Sequence, residues 1–229
     1  MRRLGFLDSA FLLAESRETP MHVGSVNLFT LPRNVNEKTF LHELTDQMKS
    51  AESFQPIFGE RLKSGLLGRL GPQYWDDDDA LDLNYHIRHS ALPKPGRYRE
   101  LFTLVSRLHA TLLDRNRPLW EMHLIEGLQD RQFAVYSKYH HAAIDGVRSM
   151  HLTQSMFSTS ARARMHDSPL SLEAMERYRE SLQRAAIPPS EAELRNVAEA
   201  LKSTYDSGVH LLGALKQFSS AWMGRGGAL

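Results

Sequence analysis

One stretch decides the fold: Gln132-Phe133-Ala134-Val135-Tyr136-Ser137-Lys138-Tyr139-His140-His141-Ala142-Ala143-Ile144-Asp145-Gly146. Aromatic residues and valine recur through residues 132–140, which predicts a β-strand that ends in a histidine-containing loop. The preceding run, 119–127, also has strand character. A helical pattern comes before both runs, with apolar residues at three- and four-residue spacing: Leu101, Leu104, Val105, Leu108 and Leu112. Strand-helix-strand order predicts a layered α/β domain.

Other segments are predicted to be helical. Asn36 can cap a helix with an apolar face formed by Phe40, Leu41, Leu44, Met48 and Ala51. Past residue 160 the composition shifts to helix formers, and Pro188-Pro189 separates two helical stretches. Ser190 and Glu193 form a capping box, and an apolar stripe from Leu194 to Trp222 follows. We therefore divide the chain into a domain at 1–160 and a helical crossover or linker at 161–229.

Composition excludes several kinds of protein. The 229 residues carry 28 Lys and Arg against 27 Asp and Glu, so the net charge of +1 gives no field that favours nucleic acid. With no cysteine, a disulfide framework, a thiolate metal site and a cysteine nucleophile are excluded. A cytoplasmic, reducing location fits this composition best.

The N-terminus imitates a secretory signal, because two arginines precede the apolar stretch Leu4 to Ala14. Asp8 interrupts that stretch and no clean cleavage site follows, so we favour a folded segment. No stretch approaches the ~20 apolar residues that span a bilayer, so membrane contact is expected to be peripheral.

Four consecutive acidic residues, 76–79, follow Tyr74-Trp75. They could be taken for a calcium or magnesium site, but neither the spacing nor the glycine of a calcium-binding loop accompanies them. A solvated turn is the favoured interpretation.

The histidine loop has the features of a general base. Side chains alternate in a strand, so His140 and His141 are expected to diverge, which argues against one metal held by both. His141 falls on the more apolar side, where partial burial keeps imidazole neutral and able to accept a proton. The alternative is a hydrogen-bonded surface His140 and a satisfied core His141.

Asp145 and Gly146 close the loop. Asp145 could orient the His141 ring, but it also lies where a helix over 147–156 needs its N-cap, and we favour this structural role. Gly146 permits a close approach of the backbone. Because the chain has neither cysteine nor a Gly-x-Ser-x-Gly elbow, acyl transfer is expected to be direct, through a complex of both substrates.

The sequence His140-His141-x-x-x-Asp145-Gly146 resembles the signature of the CoA-dependent acyltransferase superfamily. The segment Leu113 to Gly127, with Pro118-Leu119-Trp120 at its centre, resembles bacterial wax ester synthase/diacylglycerol acyltransferases, as does Pro20-Met21-His22-Val23-Gly24. The resemblance covers residues 1–160 well and the tail loosely. It implies a chloramphenicol acetyltransferase-like layered sheet with flanking helices, forming one half of a two-domain enzyme.

The resemblance also implies a reaction: transfer of a fatty acyl group from acyl-CoA to a long-chain alcohol or to diacylglycerol. His141 would be the general base, and His140 would support the loop. Asp145 would be structural, while Pro118, Leu119 and Trp120 would shape the strand beside the substrate channel or simply pack in the core. No cofactor or metal is implied, since acyl-CoA is a substrate.

A partner is implied as well, because members of the family are about twice this long. The C-terminal half of the same enzyme is expected to complete the site. Contact with a membrane or lipid inclusion is left open. Three other interpretations also stay open: a condensation-type acyltransferase that uses carrier-bound acyl groups, a hydrolase, and a non-catalytic lipid-binding module.

Overall fold

Helices and strands alternate along the chain in a computed structural model, which describes residues 1–65, 68–144, 146–158 and 167–185. Met1–Ser181 form one compact unit. The elements are β1 (Arg2–Arg3), α1 (Phe6–Ala14), β2 (His22–Thr30), α2 (Glu37–Lys49), α3 (Pro56–Gly59), β3 (Glu60–Gly65), β4 (Gly68–Asp77), α4 (Leu83–His86), β5 (Ile87–Ala91), α5 (Tyr98–Ala110), β6 (Trp120–Glu126), β7 (Gln132–His140), α6 (Gly146–Met156) and α7 (Leu172–Ala185).

A four-stranded sheet with the order β2-β7-β6-β5 carries the histidine loop. Strand β7 pairs antiparallel with both β2 and β6, while β5 and β6 are parallel and are joined through α5. The predicted strand over 132–140 is confirmed, and the one over 119–127 is observed one residue shorter at each end. The predicted α/β class is therefore confirmed.

Helices cover both faces of this sheet. On one face, Ala134 and Tyr136 of β7 pack in a buried cluster with Leu101 of α5. On the other face, Phe133, Val135 and Tyr139 join a larger cluster that includes Leu41 and Met48 of α2 and Leu152 of α6. Strand β7 is thus buried on both sides, which fixes its register because a slip by one residue would exchange its two faces.

The ends of α2 and α5 can be compared with the helices predicted from the sequence. The Asn36 side chain accepts the Thr39 amide at the start of α2, as predicted. Helix α5 ends at Ala110, so the predicted helical pattern extends too far and Leu112 lies beyond the observed helix. The Lys138 ammonium donates to the carbonyls of Leu108 and Thr111 at this end, at 2.9 and 2.8 Å, which satisfies carbonyls that a helix leaves unpaired.

A second, three-stranded sheet with the order β1-β4-β3 lies in the N-terminal part of the chain. Trp75 of this sheet shares a third buried cluster with Leu12 of α1, Leu119 and Ala142, so the cluster includes the start of the histidine loop.

The acidic cluster does not form a single turn. Asp76 and Asp77 belong to β4, opposite Arg61 and Glu60 of β3, and the turn begins only after them. Asp76 also forms an ion pair with Lys63 at 2.8 Å. The turn predicted over 76–79 is therefore wrong for its first half, because cross-strand pairing extends the strand through acidic residues.

The chain beyond α6 returns to the core. Leu170 is fully buried, and the Ser168 hydroxyl donates to the Met48 carbonyl at 2.6 Å. The boundary at 160 stays a prediction. The sequence features at 188–193 and 194–222 lie outside the described residues. In the part of the chain that the structure describes, no helix is long and apolar enough to cross a bilayer.

A buried charge cluster lies between the sheet and α5. Lys138 is fully buried, and its Nζ lies 3.3 Å from Glu121 Oε2, which in turn is 3.3 Å from His123 Nε2. Burial alone raises the pKa of Glu121, but the His123 hydrogen bond and the Lys138 charge outweigh it and lower this pKa overall. Without Lys138, the buried Glu121 carboxylate would keep only Arg88, at 3.9 Å, as a charged partner.

We expect Lys138→Met to lower the free energy of unfolding by about 3–5 kcal/mol, because Glu121 loses its nearest cation and the end of α5 loses two hydrogen bonds. Lys63→Met is the matched control, since the Lys63–Asp76 pair is exposed and solvent screens it, so its loss is expected to change stability far less. Urea unfolding measures both variants. Equal losses would contradict the assigned importance of the buried cluster.

Candidate functional site

His140 is the last residue of β7 and is fully buried, so the interpretation of it as a surface histidine is wrong. Its backbone amide donates to the Leu119 carbonyl at 3.1 Å, which continues the pairing with β6. Its ring faces into the loop, where Nδ1 accepts the Ala142 amide at 2.9 Å. Because Nδ1 is an acceptor, the proton of the neutral ring is on Nε2.

The Nε2 atom of His140 lies 3.3 Å from Oε1 of Glu15, whose side chain is itself buried. Arg115 donates to the other carboxylate oxygen of Glu15, from NH2 at 2.9 Å and from Nε at 3.3 Å. Burial alone raises the pKa of Glu15, but Arg115 and His140 outweigh it and lower this pKa overall. Burial lowers the pKa of His140 to about 4 in spite of Glu15. At neutral pH the arrangement is therefore a charged Arg115–Glu15 pair next to a neutral imidazole.

His141 lies in the turn after β7 rather than in the strand, and it is half-buried. Its amide donates to the Met21 carbonyl at 2.9 Å. Its ring stacks on Phe11 of α1, with centroids 5.3 Å apart and an interplanar angle of 28°. Burial lowers the pKa of His141, so this imidazole is uncharged at neutral pH and can accept a proton.

The two rings meet different side chains, since His140 faces Glu15 and His141 stacks on Phe11. Because β7 ends at His140, the strand alternation from which divergence was predicted does not extend to His141. Within the described ranges, no three histidine, aspartate or glutamate side chains form a group that could hold a metal ion. Asp145 lies outside the described residues, so its structural role stays a prediction. Gly146 is the first residue of α6, one position ahead of the predicted helix.

Pro118, Leu119 and Trp120 are all buried. Leu119 packs next to Ala142 of the loop, and the Trp120 indole donates to the Phe58 carbonyl at 3.1 Å. This placement favours packing in the core as the role of these three residues. Their part in a substrate channel stays a prediction.

The segment from Met21 to Gly24 forms the start of β2 and runs along the end of β7, where His22 is the register partner of His140. Together with the hydrogen bond from the His141 amide to the Met21 carbonyl, this pairing fixes the backbone at both histidines.

The chain matches the family model described as the wax ester synthase/diacylglycerol acyltransferase catalytic domain over residues 4–223. The chain belongs to this family. The resemblance predicted from the histidine loop and the Pro118-Leu119-Trp120 segment is confirmed.

Relatives with assigned names agree with this placement. A probable diacylglycerol O-acyltransferase of Mycobacterium tuberculosis is 49% identical over 66% of this chain and 33% of its own length. An O-acyltransferase of Acinetobacter baylyi is 43% identical over 69% of this chain and 33% of its own length. The match thus spans about a third of these relatives.

The solved wax ester synthase/diacylglycerol acyltransferase of Marinobacter aquaeolei is similar to this chain in structure. Its TM-score is 0.68 at 39% identity, and the match covers 80% of this chain and 45% of that one. The fold predicted for this acyltransferase family is therefore confirmed.

Sequence reasoning missed three residues of this family member's site: Phe11, Glu15 and Arg115. Phe11 and Glu15 are four positions apart, so they lie on one face of α1 and its C-cap. Arg115 stands inside the segment that carried the family resemblance. The helical spacing could have paired Phe11 with Glu15, but only the fold brings them to the histidines.

Two cavities lie near these elements. One of about 330 Å³ is lined by Glu15 and by residues 112–116, so it reaches the Arg115–Glu15 pair. A larger one of about 640 Å³ lies beside Phe133 and Val135 of β7 and has mainly apolar walls. Val135 is six residues from His141, roughly 20 Å along an extended chain, and His141 does not line the larger cavity.

We expect Gly24→Ala to destabilise the fold by about 1–3 kcal/mol, because a Cβ there would lie 2.8 Å from the Tyr136 ring and hydroxyl. Tyr136 is buried, and its hydroxyl is held by His109 at 2.9 Å, so it cannot move away freely. Thermal unfolding in a double-mutant cycle with Tyr136→Leu is the check. If Gly24→Ala is equally harmful in both backgrounds, crowding by Tyr136 is not the cause.

Proposed function

We propose that this chain is the histidine-bearing part of an O-acyltransferase that moves a fatty acyl group from acyl-CoA to a long-chain alcohol or to diacylglycerol. One observation carries the proposal: a half-buried, uncharged His141 in the His-His-x-x-x-Asp-Gly loop of a wax ester synthase/diacylglycerol acyltransferase family member. The names of the Mycobacterium and Acinetobacter relatives support the reaction class.

His141 acts as the general base in this mechanism. Its unprotonated nitrogen takes the proton of the acceptor hydroxyl while the oxygen attacks the thioester carbonyl carbon. The tetrahedral intermediate collapses with cleavage of the C–S bond. The imidazolium then returns the proton to the sulfur, which leaves the ester, free CoA and neutral His141. A thiol with a pKa near 8.5 is a good leaving group.

The surroundings of His141 suit this chemistry. A base must be uncharged before it can accept a proton, and burial favours that form. His140 supports the loop through the Ala142 amide rather than by proton transfer, since both of its ring nitrogens face protein groups. By the same proposal Asp145 and Gly146 maintain the loop conformation.

We further propose that the C-terminal half of the enzyme completes the site, because the match spans only about a third of the relatives with assigned names. The proposed location is the cytoplasm. Because both acceptors are lipids, the enzyme meets them there at a membrane or inclusion surface. Acyl-CoA is the donor and no cofactor is required.

We expect His141→Ala to lower the rate of CoA release by about 10²–10⁴-fold in the complete enzyme, meaning this chain with its C-terminal half. Palmitoyl-CoA and hexadecanol serve as substrates, and a thiol reagent detects the released CoA against a blank that lacks hexadecanol. His42→Ala is the control, because His42 is an exposed residue of α2.

Product analysis separates the alternatives. Wax ester, or triacylglycerol when diacylglycerol is supplied, supports the proposal. Free fatty acid would indicate a hydrolase instead, and an active His141→Ala enzyme would contradict the assigned base. Turnover only with a phosphopantetheinylated carrier would indicate condensation-type chemistry. Lipid binding without turnover by the complete enzyme would indicate a non-catalytic module.

The pH profile tests the protonation state. Because only neutral His141 accepts a proton and its pKa is lowered, kcat/KM should be retained below pH 6.5 and fall only as the pH decreases through the lowered pKa. A midpoint of the acidic limb at or above about 6.5 would contradict the burial of the base. Initial rates measured from pH 5 to 8 provide this midpoint.

A further inference from the structure

Helix α1 contacts both histidines of the loop. Phe11 lies in its last turn and stacks on the His141 ring, while Glu15 is its C-cap and faces His140 Nε2 at 3.3 Å. A spacing of four residues puts the two side chains on the same face of the helix, one above the other. One helix thus presents an aromatic ring to one imidazole and a carboxylate to the other.

Arg115 fixes the end of this helix. Its NH2 group donates to the Leu12 carbonyl at 2.6 Å as well as to the Glu15 carboxylate at 2.9 Å. A guanidinium at a helix C-terminus satisfies a carbonyl that lacks an intrahelical donor. The same side chain therefore places the helix and neutralises the buried carboxylate, which couples the position of Glu15 to that of Phe11.

The carboxylate has a defined effect on His140. Nδ1 is occupied by the Ala142 amide, and Glu15, which carries only acceptor oxygens, stabilises the proton on Nε2. If the proton moved to Nδ1, two donors would face each other at Ala142. The Glu15 side chain thus favours the one tautomer that allows Ala142 to follow His140 in its observed turn.

Phe11 has a different effect, on the next residue. Its ring stacks on His141 at 5.3 Å and 28°, so it restricts rotation of the imidazole plane and shields one side from water. The His141 backbone amide donates to the Met21 carbonyl, and the Met21 amide in turn donates to Glu15 Oε1 at 3.3 Å. With the backbone fixed by β2 and the ring fixed by α1, the direction of the basic nitrogen is determined.

We propose that Phe11 and Glu15 are positioning residues of the histidine loop: Glu15 sets the tautomer of His140 and thereby the turn, and Phe11 sets the ring plane of His141. The consequence for turnover rests on the proposed function. The consequence for the loop itself does not, and the two can be tested separately.

Nitrogen NMR of the histidine rings tests the loop in the 229-residue chain without any turnover. We expect wild-type His140 to be protonated on Nε2 alone between pH 6 and 8. Glu15→Gln keeps the shape but removes the charge. It should mix the two tautomers and speed hydrogen exchange of the Ala142 amide by roughly fivefold or more, as for one lost hydrogen bond.

The His141 ring signals report on Phe11. Phe11→Leu keeps an apolar side chain but removes the stacked ring, so water reaches the imidazole and its titration midpoint should rise by about half a pH unit or more. Two exposed neighbours provide the controls. Phe6→Leu on α1 and Glu18→Gln in the loop after it should leave both histidines unchanged.

A general loss of structure is recognised separately. The Leu124 amide in central strand β6 should keep its wild-type exchange rate in both variants. If the Leu124 amide exchanges faster, Glu15→Asp and Phe11→Tyr replace Glu15→Gln and Phe11→Leu. Glu15→Asp should show a partial tautomer change, and Phe11→Tyr should keep the wild-type His141 titration. The inference is wrong if His140 keeps its tautomer without the carboxylate, or if His141 titrates identically without the ring.

The complete enzyme provides the second arm. Both variants should lower kcat by roughly tenfold or more and leave the KM for palmitoyl-CoA unchanged, because they misdirect the base rather than remove a substrate contact. An unchanged kcat alongside altered NMR signals would overturn the claim that this positioning governs turnover. An inactive wild-type enzyme would refute the proposed function, while the NMR arm would still decide the inference for the loop.

Discussion

The ion pair between Arg115 and Glu15, next to the neutral ring of His140, is the constraint on which the site depends. A carboxylate with a side chain only 1% exposed cannot be left without partners, because removing it from water is strongly unfavourable. Here the guanidinium compensates the charge, and the Nε2 atom of the His140 ring lies 3.3 Å from the other carboxylate oxygen. These partners come from the connection after α5 and from the end of β7, so the ion pair forms only when both are in place.

The sheet makes this meeting possible. Strand β7 is buried on both faces and paired on both edges, so its last residue has little freedom. The loop begins at that fixed point, and Met21 at the start of β2 holds the next amide. The core of the domain thus fixes the positions of the two histidines, while α1 orients their rings.

Strands β6 and β7 could be predicted from the sequence, because strand character is a local property, whereas β2 and β5 of the same sheet were not predicted. Residues 132–140 and the Asn36-capped helix are observed as expected, and the family follows from the histidine loop. Asp76 was missed because strand pairing outweighed the local preference of an acidic run for a turn. Local patterns do not contain the partner strand that decided this outcome.

The candidate site was predictable only in part. His140 and His141 stood out through their spacing, but the strand geometry used to predict the direction of their rings ends at His140. Glu15 and Arg115 are separated by 100 residues, and no sequence pattern links them. Phe11 was hidden for a related reason, since an apolar residue in an N-terminal stretch has many ordinary explanations. Contacts across the fold, rather than residue types, identify these three side chains as part of the site.

Helix α1 has nine residues and only Leu12 fully buried, so its docking contributes little to the central sheet. Fraying of this short segment would free both imidazoles while the strands stayed intact. Heating should therefore release the two histidine rings from α1 at a lower temperature than it melts the strands.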